Sequence, residues 1–207
     1  MTIKAKPLPP AVILAGGRAI RMGGREKCLL QLGGQKILSH VIARLAPQVS
    51  QIALNANGNP KRFSDFNYPV IPDSIAGFVG PLAGVLAGMD WAASIGQTEI
   101  ISVASDTPFF PKDLVQRLRE KADITCFPLV LAAENHPTKG RIRHPTFGLW
   151  PIELREDLRS SLQSGLRKIV HWTDRHKGHC VDFATKEGRA FFNVNTPEDL
   201  IAAETLL

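Results

Sequence analysis

The stretch from Val12 to Leu30, Val-Ile-Leu-Ala-Gly-Gly-Arg-Ala-Ile-Arg-Met-Gly-Gly-Arg-Glu-Lys-Cys-Leu-Leu, constrains this chain more than any other. It opens on Val12-Ile13-Leu14, an apolar run without alternation, which suits a short strand buried on both faces. The chain then breaks at Gly16-Gly17. Successive glycines can turn their backbone N–H groups toward one point and let a ligand approach closely. Arg18, Arg21, Arg25 and Lys27 follow on the same short loop, with a second pair at Gly23-Gly24. Four cations and two Gly pairs directly after a buried strand read as a cradle for a polyphosphate.

The cradle is neither of the two commonest kinds. A Walker loop ends in Gly-Lys-Ser or Gly-Lys-Thr, and the chain has no Lys-Ser or Lys-Thr. The G-x-G-x-x-G dinucleotide fingerprint is also missing.

Beyond the loop, apolar and polar residues alternate between two periods. Ile37-Leu38, Val41-Ile42 and Leu45 recur with helical spacing, and Pro47 closes the pattern. Residues 51–55 and 68–71 read as strands, the first ending in the turn-prone Asn55-Ala56-Asn57-Gly58-Asn59. Gly80-Pro81 starts a helix with Leu82, Val85, Leu86 and Met89 on its apolar face, and Gly84 and Gly88 leave room for close packing. A strand over 100–104 ends in Ser105-Asp106-Thr107-Pro108. A helix is expected over 111–120 and a strand over 124–132, with Pro128 at a break or an edge. Residues 134–144 are polar and basic and read as a loop. Strands are expected over 146–150, 181–183 and 190–192, and helices over 152–164, 166–173 and from Thr196, which serves as N-cap before Pro197, Glu198 and Asp199.

Strands alternating with helices imply a single-domain, doubly wound α/β fold: a mostly parallel sheet with helices on both faces. Residues 1–10, with three prolines and two lysines, read as a flexible tail and 11–207 as one domain. In such sheets ligands sit beyond the carboxyl ends of the strands. The cradle, Asn55, Asp73 and Asp106 all fall at expected strand ends.

Composition excludes several classes. At 207 residues, 44% hydrophobic and 21% charged, the chain is an ordinary globular one. No apolar run approaches the length of about 18–20 residues that spans a bilayer, and the first ten residues lack the apolar core of a signal peptide. Cys28, Cys126 and Cys180 are scattered and odd in number, which fits a reducing compartment and a cytoplasmic protein. A net charge of +6 raises the question of nucleic acid. With one Tyr, three Trp and no nucleic-acid motif, the charge is better assigned to solvated surface and to receiving small polyanions. His176-Lys-Gly-His179-Cys180 lacks a second ligand cluster and reads as loop and strand edge.

Leu14-Ala15-Gly16-Gly17, Arg21-Met22-Gly23-Gly24 and Glu26-Lys27, at this spacing, resemble the signature of the MobA-like nucleotidyltransferases that activate molybdopterin, and within them the molybdenum cofactor guanylyltransferases. The resemblance runs from Leu14 to Leu200 and implies a Rossmann-like nucleotidyltransferase fold that transfers GMP from GTP to molybdenum-bearing molybdopterin with release of pyrophosphate. It implies that Lys27 contacts the triphosphate and that Asp106 holds Mg²⁺, these two being the expected catalytic residues. It places Leu14, Ala15, Gly16, Gly17, Arg21, Asn55 and Asp73 on the nucleotide, with Gly80, Pro81 and Leu82 in the base-recognising segment. His144, Asn193 and Asn195 fall toward the molybdopterin side. Two departures concern loop geometry: Glu26 stands where the family commonly has Asp, and Cys28 where Gly is usual.

GTP and molybdenum-molybdopterin are the expected partners. Cofactor-delivery proteins and recipient apo-molybdoenzymes are further ones that the resemblance implies. A monomer is expected, with no nucleic acid and no membrane. Two alternatives stay open. A cytidylyltransferase acting on the same pterin is the near one, although it tends to carry Ala-Ala-Gly at the first motif. A non-catalytic nucleotide-binding regulatory module is the other. A sugar-phosphate nucleotidyltransferase is more distant.

Overall fold

The computed structural model describes residues 6–16, 26–77, 80–136, 138–184 and 190–207. Its first strand, β1 (Ala11–Leu14), shows why the opening run is apolar throughout. Ala11 and Ile13 face one apolar cluster and Val12 the other, so neither face tolerates a polar residue. In chain order there follow β2 (Gln31–Leu32), β3 (Gln35–Lys36), α1 (Ile37–Leu45), β4 (Ile52–Asn55), β5 (Val70–Ile71), α2 (Pro81–Ser94), β6 (Glu99–Ala104), α3 (Leu114–Thr125), β7 (Val130–His136), β8 (Gly140–Pro151), α4 (Arg155–Gln163), α5 (Ile169–Arg175), β9 (His179–Phe183) and α6 (Pro197–Glu204).

Seven strands form one sheet in the order β5-β4-β1-β6-β8-β7-β9, and β2 and β3 pair separately. Strands β5, β4, β1 and β6 are mutually parallel. Strand β8 runs antiparallel to β6 and β7, and β9 parallel to β7. The chain leaves β1 for β4 on one side and later for β6 on the other, which makes β1 the point where the winding reverses. Helices α1 and α3 pack on one face through Leu38, Val41, Leu45, Leu114, Val115 and Leu118. Helices α2, α4 and α5 cover the other through Leu82, Val85, Leu86, Leu158, Leu162 and Trp172. A third small cluster of Leu32, Ile37, Val194 and Ala203 ties α6 to the hairpin and to α1. Among the described residues no helix is long and apolar enough to cross a membrane.

Gly84 and Gly88 are required by contact, as their spacing suggests. A Cβ at Gly88 would lie 2.5 Å from Val12 Cγ1, and one at Gly84 would lie 2.8 Å from Leu14 Cδ2. The pair lets α2 lie flat on the end of β1.

The far half of the sheet departs from expectation. Ile124 belongs to α3, which ends where Cys126 adopts a left-handed conformation with φ of 53°. The following strand starts at Val130, so Pro128 precedes it and never interrupts a ladder. The polar segment expected to loop over 134–144 is mostly strand: β7 and β8 stay paired from Ala132–His144 to His136–Gly140. Its charges suit that position because they are paired with neighbours, Arg141 with Asp182 at 2.6 Å and Arg143 with Asp174 at 2.5 Å. Residues 190–192 form no strand. Phe191 is apolar because it is a turn residue buried against Phe147, Phe183 and His144. Of the tail expected over 1–10, residues 1–5 lie outside the described residues. From Pro9 the chain is docked: the Pro9 and Pro10 carbonyls accept from Ser50 and Ile101 N–H at 3.0 and 2.9 Å.

Candidate functional site

Register builds the site. Leu14 pairs with Asn55 on one side and Ala104 on the other, and Asn55 pairs with Ile71. The carboxyl ends of four parallel strands therefore stop at one edge. There they surround a cavity of about 390 Å³ lined by Leu14, Gly16, Asn55, Asp73, Gly80, Pro81, Ala104, Asp106, Thr146 and Asn193. A smaller recess of about 90 Å³ continues from Asp106 to Ala15, Glu26, Lys27, Cys28 and Ser105.

One end of the cleft is built from the ends of β4 and β5. The Asp73 carboxylate accepts from Asn55 Nδ2 at 3.0 Å through Oδ1 and from Asn57 Nδ2 at 2.8 Å through Oδ2. The Asp73 N–H in turn donates to Asn57 Oδ1 at 2.9 Å. A carboxylate oxygen has more than one acceptor site, so Asp73 is held in plane while keeping capacity for a ligand. Gly80 borders this end as the N-cap of α2, with φ of 87° and ψ of −171°, a conformation almost confined to glycine. Pro81 follows at the first helical position, where its missing N–H costs nothing.

The other end joins parts of the chain that are far apart in sequence. Lys27 Nζ donates to Asn195 Oδ1 at 2.7 Å. The Val194 N–H donates to the Asp106 carbonyl at 2.9 Å. The Thr107 hydroxyl donates to Asn193 Oδ1. The strap formed by 193–195 is fixed from behind by the start of α6. There Asp199 Oδ2 accepts the N–H groups of Asn195 and Thr196, each at 2.9 Å, and the Thr196 hydroxyl accepts the Asp199 N–H at 3.1 Å. Thr196 is the N-cap expected, and with Asp199 it closes a capping box.

Electrostatics sets this end apart. Burial pushes the Asp106 carboxyl up from its ordinary value, while the Lys27 ammonium and the adjacent Thr107 hydroxyl, 3.3 Å from Asp106 Oδ1, pull it back down. Burial, with the negative charge of Glu26, drives the Cys28 thiol up to about 12. Cys28 is therefore a packing residue and not a nucleophile.

Most of the residues singled out in the sequence meet here. Leu14, Gly16, Asn55, Asp73, Gly80, Pro81, Asp106 and Asn193 line the cavity, and Ala15 and Lys27 line the recess. Asn195 reaches the recess through Lys27. Gly17 and Arg21 lie outside the described residues. Leu82 is fully buried in the core under the start of α2, so its side chain supports Gly80 and Pro81 without facing the cavity. His144 does not line the cavity. Its ring stacks on Phe191 with centroids 4.0 Å apart, and its Nε2 lies 3.1 Å from Glu134 Oε1. Burial lowers its pKa and Glu134 raises it. Thr146, two residues on, is the member of that strand that reaches the site.

Sequence reasoning left out Asn57 and Thr107 as site residues. Asn55-Ala56-Asn57 carries the signal for the first, since alternate residues of an extended chain point the same way. Thr107 follows Asp106 directly, and nothing local distinguishes it from any turn threonine.

The chain matches the family model of the MobA-like NTP transferase domain over residues 11–179. It is 46% identical over 209 residues to a molybdenum cofactor guanylyltransferase of Bradyrhizobium sp. (strain ORS 278), covering 100% of this chain and 96% of that protein. It is 45% identical to another of that name from Rhodopseudomonas palustris (strain HaA2), covering 97% and 92%. Among solved structures, molybdopterin-guanine dinucleotide biosynthesis protein A from Archaeoglobus fulgidus is similar with a TM-score of 0.74 at 24% identity, over 95% of this chain and 97% of that one. The 4-diphosphocytidyl-2C-methyl-D-erythritol synthase of Anaerococcus prevotii gives 0.73 at 13% identity, over 97% and 96%. At those identities the two structures speak for the fold alone.

Proposed function

The chain belongs to the MobA-like NTP transferase family, and from that premise we propose that it transfers GMP from GTP to molybdenum-bearing molybdopterin, giving the guanine dinucleotide and pyrophosphate. Relatives at 45–46% identity over nearly their full length carry the name of that activity. The observation that carries the residue roles is the layout of one cleft. A clamped acceptor, Asp73, stands at one end, and a cation, Lys27, stands beside a buried carboxylate, Asp106, at the other.

In the reaction, an oxygen of the pterin's terminal phosphate attacks the α-phosphorus of GTP. The bond from that phosphorus to the bridging oxygen of the β-phosphate breaks, and pyrophosphate leaves with the electron pair. The nucleophile is already anionic, so no strong base is needed; the difficulty is bringing two anions together in line. Asp73, held by Asn55 and Asn57, accepts hydrogen bonds from guanine or ribose and fixes the nucleoside. Lys27, oriented by Asn195, neutralises charge that grows on the bridging and leaving oxygens. Asn193 and Thr146 face the same cavity and receive the pterin phosphate side, with His144 behind them.

A nucleotidyltransferase of this kind works with a divalent metal, and Mg²⁺ at Asp106 is the form we propose. The donor set fits: Asp106 is one hard carboxylate at a strand end, and Mg²⁺ usually takes only one or two carboxylates from protein, with phosphate oxygens and water completing its shell. When bound, the ion supplies screening of the phosphate charge. Residues 11–207 act as one nucleotidyltransferase domain. The protein is proposed to work as a monomer in the cytoplasm, with delivery proteins and apo-molybdoenzymes as onward partners.

Calorimetric binding of GTP, CTP, ATP and a sugar nucleotide, each with Mg²⁺, tests this reading. Selective GTP binding that weakens in Lys27→Ala is expected. A preference for CTP would move the assignment to cytidylyl transfer.

A further inference from the structure

Asp73 sits after β5, a two-residue strand at the edge of the sheet. So short an edge element does little to fix a side chain by itself. The Asn57 amide that completes its clamp leads to a further set of contacts. Arg62, in the 3₁₀ segment Pro60–Phe66, donates through Nη2 to the Asn57 carbonyl at 2.5 Å and through Nη1 to the Asn59 carbonyl at 3.3 Å. It forms an ion pair with Glu26, Nε lying 2.9 Å from Oε1 without hydrogen-bond alignment. The guanidinium lies 5.0 Å from the ring centroid of Phe63, and Phe63 is itself buried. Glu26 precedes Lys27 and lines the recess beside Asp106.

We infer that Arg62 is a positioning residue that locks the Asn57–Asp73 clamp to Glu26, so that the acceptor reading the base and the segment contacting the triphosphate are held as one unit. The inference rests on the functional reading above, with Lys27 on the triphosphate and Asp73 committed to guanine, the first of the two nucleoside contacts named there. A planar, forked guanidinium holds two carbonyls and a carboxylate in one fixed arrangement, whereas a Lys ammonium would have to reach all three from a single point. An Asp in place of Glu26 would be one methylene shorter and would not carry the carboxylate as far toward Arg62. Burial pushes the Glu26 carboxyl up and Arg62 pulls it down, as expected of a carboxylate whose ionised form depends on that partner. Asn57 then sets how firmly guanine is distinguished, because its amide and the Asp73 N–H close a two-bond ring.

The test is a titration of the full chain with GTP and with inosine triphosphate, which lacks the 2-amino donor, in the presence of Mg²⁺. Arg62→Lys keeps the charge and loses the fork. It is expected to weaken GTP binding about tenfold and to shrink the preference for GTP over inosine triphosphate. A merely structural role would leave that ratio unmoved. A double-mutant cycle keeps the question decidable even where Arg62→Lys does not fold. Glu26→Gln is expected to weaken GTP binding about fivefold in the parent, and to have no further effect once Asn57→Ala has removed the clamp. An equal cost of Glu26→Gln in both backgrounds overturns the inference, as does an Arg62→Lys variant with parental affinity and parental base preference. If the parent chain prefers GTP to CTP but the cycle is additive, the inference alone fails. If the parent shows no such preference, the functional reading fails and takes the inference with it.

Discussion

The two ends of the cleft are assembled in opposite ways. At the end proposed for the base, Asn55, Asn57 and Asp73 come from one short stretch that crosses from β4 to β5, and each finds its partner within 18 positions. At the end proposed for the triphosphate, Lys27 and Asn195 are 168 positions apart, and Asp106 meets the same strap through Val194. The Asn55–Asn57–Asp73 contacts are therefore in place once β4 and β5 are in register. The phosphate end is complete only when the C-terminal strap docks over the sheet edge. Selectivity and rate are expected to respond to different substitutions.

The largest effect is expected at Asp106. Asp106→Ala should lose on the order of 10²-fold or more in turnover, as removal of a central electrostatic group does, read as pyrophosphate release, while the order of preference among nucleotides stays as in the parent. A variant that kept full turnover would remove Asp106 from the metal role.

Gly84→Ala should do the opposite and strike the base end. Its Cβ would fall 2.2 Å from Asn55 Oδ1 and 2.8 Å from Leu14 Cδ2. Overpacking of this kind costs about 1–3 kcal/mol, and each kcal/mol lowers the melting temperature of a chain this size by about 2–4 °C. Since Asn55 must yield, KM for GTP should rise more than kcat falls. A loss confined to kcat would break the contrast between the two ends.

Asn195→Ala releases Lys27 from its partner without removing the cation. A hydrogen bond to a charged group is worth about 1.5–3 kcal/mol, and the bond here is only partly buried, so a kcat reduction of about tenfold is expected. Preference for GTP over CTP should not change.

The smallest effect concerns stability. Because burial holds the Asp106 carboxyl above its ordinary pKa, the folded state binds that proton more tightly than the unfolded one. Between the unfolded and folded values, stability falls as pH rises, and above the folded value the cost is fully present. Asp106→Asn removes that cost. It should melt slightly above the parent at neutral pH, with the difference vanishing below the ordinary aspartate range. A variant less stable than the parent at neutral pH would mean that Lys27 and Thr107 more than offset the burial.

The same contrast explains what was legible in the sequence. Strands β1, β4 and β6 are buried on both faces and read as plain apolar runs, and α1 shows its period because one face meets the sheet, whereas α2 is buried all round over 82–89 and reads as a run of small and apolar residues. The strand-end residues Asn55, Asp73 and Asp106 could be placed for that reason alone. The β7–β8 hairpin could not. Its polar stretch extends past the core, and Arg141 and Arg143 are neutralised by Asp182 and Asp174, which no local pattern announces. Phe191 misleads in the other direction, being apolar through burial in a turn. Asn57 escaped because its partner is an aspartate beyond an intervening 3₁₀ segment, and the Lys27–Asn195 contact because the strap depends on tertiary docking.

The most direct measurement is product formation from GTP carrying label on its α-phosphate, with molybdenum-molybdopterin and Mg²⁺, run beside CTP. Label is expected in a guanine dinucleotide of the pterin with equimolar pyrophosphate, with little product from CTP and loss of product in Asp106→Ala. Label transferred from CTP in preference to GTP, or no dinucleotide from either, would contradict guanylyl transfer.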